Sequence, residues 1–161
     1  MTEAIAPLRC REAVESDLPD IVGLLNDDPF GQARNPLFET QAAAYAVAFQ
    51  DILSDPNNAY IVAELAGRIV GCYQLTFIRG LSYVGGLRAQ IESVRIASDL
   101  RGSGLGSALM RDAIARARAR GCVLGQLTTD VRREHTRRFY ERLGFAATHH
   151  GMKLWLRDDG G

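Results

Sequence analysis

The chain has 161 residues, with 19 Lys plus Arg balancing 19 Asp plus Glu, and is 47% hydrophobic and 24% charged. That is the size and balance of one ordinary globular domain; it excludes low-complexity disorder and argues against sequence-independent nucleic-acid binding, which calls for a strongly basic surface. The longest apolar run, residues 42–49, is 8 residues, against the ~20 that a membrane-spanning helix needs.

The zero net charge hides a partition. Of the 19 basic residues 18 are Arg; residues 1–87 carry a net charge of −6 and residues 88–161 a net charge of +6. Two oppositely charged halves point to two kinds of partner. Residues 1–7 lack a basic stretch followed by an apolar one and do not read as a secretory signal. Cys10, Cys72 and Cys122 are odd in number and widely spaced, as idle thiols of a reducing compartment are; the expectation is a cytoplasmic protein. With no repeat and no linker-like stretch, residues 1–161 read as a single domain whose last residues, 158–161, form a frayed tail.

In chain order, residues 8–13 predict a short strand. Ser16 is placed to cap a helix whose apolar set is Leu18, Ile21, Val22, Leu24 and Leu25. Residues 26–36, rich in Asp, Asn, Pro and Gly, predict a loop, and residues 39–53 a helix. Residues 59–65 and 69–78 predict two strands joined by a hairpin at Ala66-Gly67-Arg68. A strand follows at 89–97, then a helix at 105–119 with Leu105, Leu109, Ala113 and Ala117 on one face, ended by Gly121. A strand at 123–128, a helix at 133–143 and two last strands at 145–149 and 152–156 complete a mixed α/β pattern.

The most informative segment is Arg101-Gly102-Ser103-Gly104-Leu105-Gly106-Ser107, between a strand and an amphipathic helix. Glycines there admit positive φ and close backbone approach, and exposed amides at the positive end of a helix dipole suit an anion such as a pyrophosphate. No Lys lies near, so a P-loop is excluded. A dinucleotide fingerprint fits Gly102 and Gly104, but its third glycine stands one position early and too little chain follows for a doubly wound sheet. An R-x-x-G-x-G pattern fits Arg101, Gly104 and Gly106, and a tight turn without ligand is the remaining reading. In the strand before it, Ala89 and Ile91 share one parity while Val94 and Ile96 share the other. Either one extra residue near Glu92-Ser93 makes a β-bulge, or the strand is buried on both faces.

Taken with Ile91-Glu92-Ser93-Val94-Arg95-Ile96 and with Phe139-Tyr140-Glu141-Arg142-Leu143-Gly144-Phe145 about 35 residues on, this turn resembles the GNAT superfamily of acyl-CoA-dependent N-acyltransferases. The distinctive motifs cover about residues 89–148, and Leu8-Arg9 with Asp17-Leu18 resembles the family's first strand and helix. The resemblance implies an α/β (α+β) fold with a mixed, mostly antiparallel sheet of about six to seven strands flanked by helices, in which two central parallel strands splay apart. It implies acetyl-CoA as co-substrate, with no metal. The pantetheine arm would pair with the backbone of Val94, Arg95 and Ile96. The pyrophosphate would sit on Gly102, Ser103, Gly104, Leu105, Gly106 and Ser107 beside Arg101.

The chemistry that the resemblance implies is acetyl transfer to a primary amine of a small molecule, or to a protein amino group, by direct attack in a ternary complex. A carboxylate takes the amine's proton and a hydroxyl protonates the leaving sulfur. Tyr140 stands where family members place the acid, or else is an aromatic packing the last helix. Glu92 is the candidate base, or a solvated strand carboxylate, and the Val94 amide is a candidate oxyanion donor. Two positions depart from the family pattern. Arg133 replaces an Asn that touches the cofactor, and Thr128 stands where some members carry a Glu base, which leaves Glu92, a water chain or Asp130.

Other features attract weaker readings. His149-His150 point to opposite faces of any strand and cannot readily chelate together; His135 and the run Arg116, Arg118, Arg120 read as solvated helix faces. Asp27-Asp28 serves either acceptor recognition or a plain turn. The acidic half suggests a cationic acceptor such as a polyamine, an aminoglycoside or a lysine-like group. A different class on the same fold is a non-catalytic acyl-CoA sensor or interaction module. No membrane or nucleic-acid partner is expected; a homodimer is, by family likeness alone.

Overall fold

The structure is a computed structural model and describes residues 7–27, 29–32 and 38–156. Five strands, β1 (Arg9–Glu12), β2 (Asn58–Leu65), β3 (Arg68–Arg79), β4 (Leu87–Ile96) and β5 (Cys122–Gln126), form one sheet in sequence order. Three of its pairings are antiparallel and the last, β4 with β5, is parallel. The helices are α1 (Leu18–Asn26), the short α2 (Pro29–Gln32), α3 (Phe38–Ser54), the distorted turn α4 (Ser82–Gly85), α5 (Leu105–Ala119) and α6 (Glu134–Arg142). The expected tail at 158–161 and the position Asp28 lie outside the described residues.

The alternation of β2 explains the layering. Ile61 and Ala63 face one side and join Tyr73, Leu75, Ala89 and Ile91 under Leu109, Met110, Ala113 and Ala117 of α5. Tyr60 and Val62 face the other side and join Cys72 under Ile21, Val22 and Leu24 of α1 and Phe49 of α3. Both faces of the middle of β2 and β3 are therefore buried, as a sheet sandwiched between helices requires. The hairpin turn between β2 and β3 forms where expected, with Ala66 (φ 51°) and Gly67 (φ 80°) both left-handed, the backbone of a primed two-residue turn.

Two expectations change. The sheet has five strands rather than six to seven, because residues 145–156 carry neither helix nor strand. Their composition suits a strand, but β propensity is realised only through cross-strand neighbours. Met152, Leu154 and Leu156 instead lie more than four-fifths exposed, and β5 closes the described sheet as its edge rather than as a central strand. The start of α1 also differs. Ser16 lies in a 3-10 turn, Glu15–Asp17, and it is the Asp17 carboxylate that receives a chain amide, that of Val14, at 2.8 Å.

Asp17 is buried, 6% exposed, and Arg11 holds it in a fork, with Nη1 donating to Oδ2 at 2.7 Å and Nη2 to Oδ1 at 3.0 Å. The same guanidinium donates to Glu64 Oε1 at 2.7 and 2.9 Å. One cation thus ties β1, β2 and the entry of α1. On the opposite face, Tyr73 Oη donates to Asp112 Oδ2 at 2.5 Å and Arg116 Nε donates to the same oxygen at 2.8 Å, fastening α5 to β3.

The bonds from Arg11 hold the Asp17 carboxyl below its ordinary value of 3.8. A carboxyl with a depressed folded-state pKa contributes stability that is present above that ordinary value and lost as pH falls through the folded one. Asp17→Asn should therefore lower stability at pH 7 by about 2 kcal/mol, and the gap between variant and parent should shrink on acidification, as measured by denaturant unfolding between pH 7 and pH 2.5.

Candidate active site

The register between β3 and β4 creates the site. Leu75 pairs with Ile91 and Gln74 with Glu92, but Cys72 pairs with Arg95, so one more residue separates the pairs on β4 than on β3. Ser93 takes up the extra residue with φ +54°, and its carbonyl, released from the ladder, lies 3.6 Å from Cys72 Sγ. Of the two sequence readings of this strand, the bulge is the one realised. Because the slip is one residue, Ile91 before it and Val94 and Ile96 after it all face the α5 side. Glu92 and Arg95, opposite Gln74 and Cys72, share the other face, that of Tyr60 and α1.

The second constraint is the parallel pair. β4 and β5 bond only from Leu87 to Gln90 and from Cys122 to Gln126, while β4 runs on to Ile96. The strands part after Gln90, just before the bulge, and leave a wedge. A cleft of about 830 Å³ opens there, lined by Glu92, Val94, Arg95, Thr128, Arg133 and Tyr140 among others. These five predicted site residues, with the departure position Thr128, are brought together. Leu25 of α1 and Gly151, Met152 and Lys153 of the last segment also line it. The sequence carried no signal for those four, because only the fold brings the ends of the chain to the wedge.

The glycine turn stands at the neighbouring end of β4. Gly102 (φ 79°) and Gly104 (φ 87°) are left-handed, and a Cβ on either would meet nothing within 4 Å, so both glycines answer to backbone conformation and face open space. The amides of Ser103 and Ser107 bond to the carbonyls of Leu100 (3.4 Å) and Gly104 (3.1 Å). That leaves the mouth of α5, at Leu105 and Gly106, as the place where amides lack an acceptor within the helix. Gly106 lies where a Cβ would approach Phe139 Cζ at 3.5 Å and Ile96 Cγ1 at 4.0 Å, ordinary contacts that seat the turn against β4 and α6.

Arg101 is not a loose cation at the edge of the turn. Its Nη2 donates to the Asp27 carbonyl at 2.5 Å and its Nε to the Ile96 carbonyl at 3.2 Å. Asp27 caps the C-terminal end of α1, where a cation complements the helix dipole. Its carboxylate accepts the Ser98 amide at 2.6 Å. Asp27 therefore braces the turn to α1.

The ring of Tyr140 is flanked edge-on by Phe139 and Phe145, with centroids 5.1 and 5.8 Å away. Burial raises its pKa above 10.0, opposed by the nearby Arg95 and Arg133. Asp130, one of the alternative bases, is a poor one. Arg132 binds it through Nε at 2.9 Å, Nη2 at 2.6 Å and its amide at 3.0 Å, holding the carboxyl far below the usual carboxylate range. Burial pushes Cys72 up to about 12 and Cys10 to about 11, so neither thiol is a ready nucleophile.

The family profile described as acetyltransferase (GNAT) matches residues 18–145. The glucosamine 6-phosphate N-acetyltransferase of Trypanosoma brucei brucei is 39% identical over 94% of this chain and 98% of its own length. The aminoalkylphosphonate N-acetyltransferase of Salmonella typhimurium is 31% identical over 69% of this chain and 71% of its own. Among solved structures, a Bacillus halodurans protein described as a transcriptional regulator superposes with a TM-score of 0.89 at 46% identity, covering 93% of this chain and 100% of that one.

Ser93 makes the bulge testable. A β-branched residue pays about 1–2 kcal/mol for a left-handed backbone, and glycine does not. Ser93→Val should lower the melting temperature by several degrees, and Ser93→Gly should leave it within about 2 °C of the parent, as read by differential scanning calorimetry.

Proposed function

The chain belongs to the acetyltransferase (GNAT) family and is an acetyltransferase, and on that premise we propose that it moves the acetyl group of acetyl-CoA to the primary amine of a small molecule by direct attack in a ternary complex. The observation that carries this reading is the bulged wedge, in which a carboxylate (Glu92), a backbone amide (Val94) and a raised-pKa hydroxyl (Tyr140) line one cleft. In this reading the pantetheine arm lies along the backbone of Val94, Arg95 and Ile96. The pyrophosphate rests at the mouth of α5 on the turn from Gly102 to Ser107, and Arg133 borders the arm. Arg101 holds the turn in place from behind.

The acceptor arrives as an ammonium and gives a proton to Glu92, directly or through water. Its freed lone pair attacks the thioester carbonyl, forming the C–N bond while the oxyanion takes the Val94 amide. As the C–S bond breaks, the sulfur keeps the electron pair and Tyr140 Oη protonates it. A hydroxyl with a pKa above 10 stays protonated at neutral pH and can serve as that acid. The nitrogen sheds its second proton as the amide forms; that proton, directly or through water, restores the Tyr140 phenolate, and Glu92 returns the first to solvent.

The whole of 1–161 is read as one N-acetyltransferase domain, cytoplasmic in keeping with its three free thiols. No helix among the described residues is long and apolar enough to cross a membrane. A homodimer is the expected assembly. The open edge of β5 and the exposed Met152, Leu154, Trp155 and Leu156 are the surface that a second copy would cover.

Tyr140→Phe keeps the aromatic stack and removes the proton. It should lower kcat for CoA release about 100-fold or more while leaving the thermal stabilisation by acetyl-CoA within about 2 °C of the parent. Equal turnover in parent and variant would remove Tyr140 from the mechanism. An absence of stabilisation by acetyl-CoA in the parent would remove the co-substrate, since a ligand specific to the native state must raise its melting temperature.

A further inference from the structure

The partition of charge along the chain suggests that acidic residues greet the acceptor, but the fold spends them elsewhere. Of the acidic half, Asp17 and Glu64 are bound by Arg11 and Asp27 by Arg101, and Asp99 of the other half is bound by Arg68. They line a different groove, beside α1 and the β2–β3 hairpin. The cleft that holds Glu92 and Tyr140 carries the opposite sign. Its ionisable lining is Arg95, Arg132, Arg133 and Lys153 against Glu92 and Asp130, and Asp130 is committed to Arg132.

Arg95 has the position that matters. In an unbroken strand, residues 92 and 95 would face opposite sides of the sheet. The bulge puts them on the same side, opposite Gln74 and Cys72, which are two residues apart on β3. A carboxylate and a guanidinium thus rise from one face with Cα atoms about 7 Å apart. Nη1 of Arg95 donates to its neighbour's carbonyl, that of Val94, at 2.9 Å, which fixes the fork. Its charge is felt at both the Tyr60 and the Tyr140 hydroxyls.

From this placement, and resting on the transfer reading above, we propose that the acceptor is a short amine that also bears an oxyanion (a phosphate, phosphonate or carboxylate), with its amine at Glu92 and its oxyanion on the Arg95 guanidinium, Lys153 adding charge at the rim. A guanidinium is the side chain suited to a planar or tetrahedral oxyanion because two of its N–H groups bond in parallel. A polyamine, the acceptor suggested by the acidic half of the chain, would instead meet these cations.

The test measures CoA release with O-phosphoethanolamine, 2-aminoethylphosphonate, β-alanine, ethanolamine and spermidine. It adds the thermal shift that each gives to the CoA-saturated protein, which reports binding without turnover. At least one of the three anionic amines should exceed ethanolamine about 10- to 100-fold in kcat/KM, and which of the three leads identifies the oxyanion. Arg95→Gln should bring that ratio to within about 2-fold by raising the acceptor KM, Arg95→Lys should keep part of it, and Lys153→Gln should reduce it less. Ethanolamine or spermidine equal to or better than every anionic amine would overturn the proposal while leaving acetyl transfer standing, as would a ratio unmoved in both Arg95→Gln and Lys153→Gln. If no amine releases CoA, the transfer reading fails, and the thermal shifts still decide: an anionic amine that stabilises where ethanolamine does not supports the oxyanion site, and equal shifts refute it.

Discussion

One extra residue in β4 shapes the candidate site of this molecule. The ladder with β3 is regular from Leu87 to Glu92 and resumes at Arg95, and between them Ser93 carries a left-handed backbone. A pleated strand cannot change which side chains face a core without such a slip. The slip keeps Ile91, Val94 and Ile96 on the α5 side, and it brings Glu92 and Arg95 together on the other. It follows closely on Gln90, the last β4 residue that pairs with β5. A hydrophobic requirement on one face and a chemical arrangement on the other are met by the same irregularity.

The rest of the architecture holds that irregularity still. α5, whose first turn packs against Ile96 and Phe139, is fastened to β3 through Tyr73, Asp112 and Arg116, and Tyr73 is the β3 residue opposite the bulge. On the far face, Arg11 locks β1, β2 and the entry of α1. At its other end α1 is joined through Asp27 to Ser98 and Arg101, at the approach to the glycine turn. α1 therefore spans from the core of the sheet to the turn, and its Leu25 reaches the cleft. In the proposed reaction, the element bordering the acceptor and the loop bearing the co-substrate would move as one body.

Much of this was legible in the residues, and the exceptions share a cause. The parity change between Ile91 and Val94 left the bulge as one of two readings, because burial on one face leaves a period-2 trace. Gly102, Gly104 and Gly106 announced the turn, because positive φ and close approach select glycine locally. The tail at 152–156 read as a strand because its composition is that of a strand, yet it has no ladder among the described residues. Ser16 looked like a cap by type, while the cap belongs to Asp17, which Arg11 holds in place across 6 residues of chain. Arg101 was expected beside the pyrophosphate, and nothing in the sequence signalled its bond to Asp27, 74 residues away. Strand partners and salt bridges are long-range choices, and local pattern does not encode them.

Taken alone, the order of amino acids determined the α/β class, the glycine turn and the family and left the bulge as one of two readings, because each rests on periodicity or on backbone conformations that particular residues favour within a few positions of themselves. Only the tertiary structure decided how charge is used. The net of −6 in the first half and +6 in the second suggested an acidic surface waiting for a cation. Folding pairs three of those carboxylates, Asp17 and Glu64 with Arg11 and Asp27 with Arg101, and turns Arg95, Arg132, Arg133 and Lys153 toward the cleft. A Coulomb interaction depends on distance through space and on the water displaced, and sequence separation sets neither.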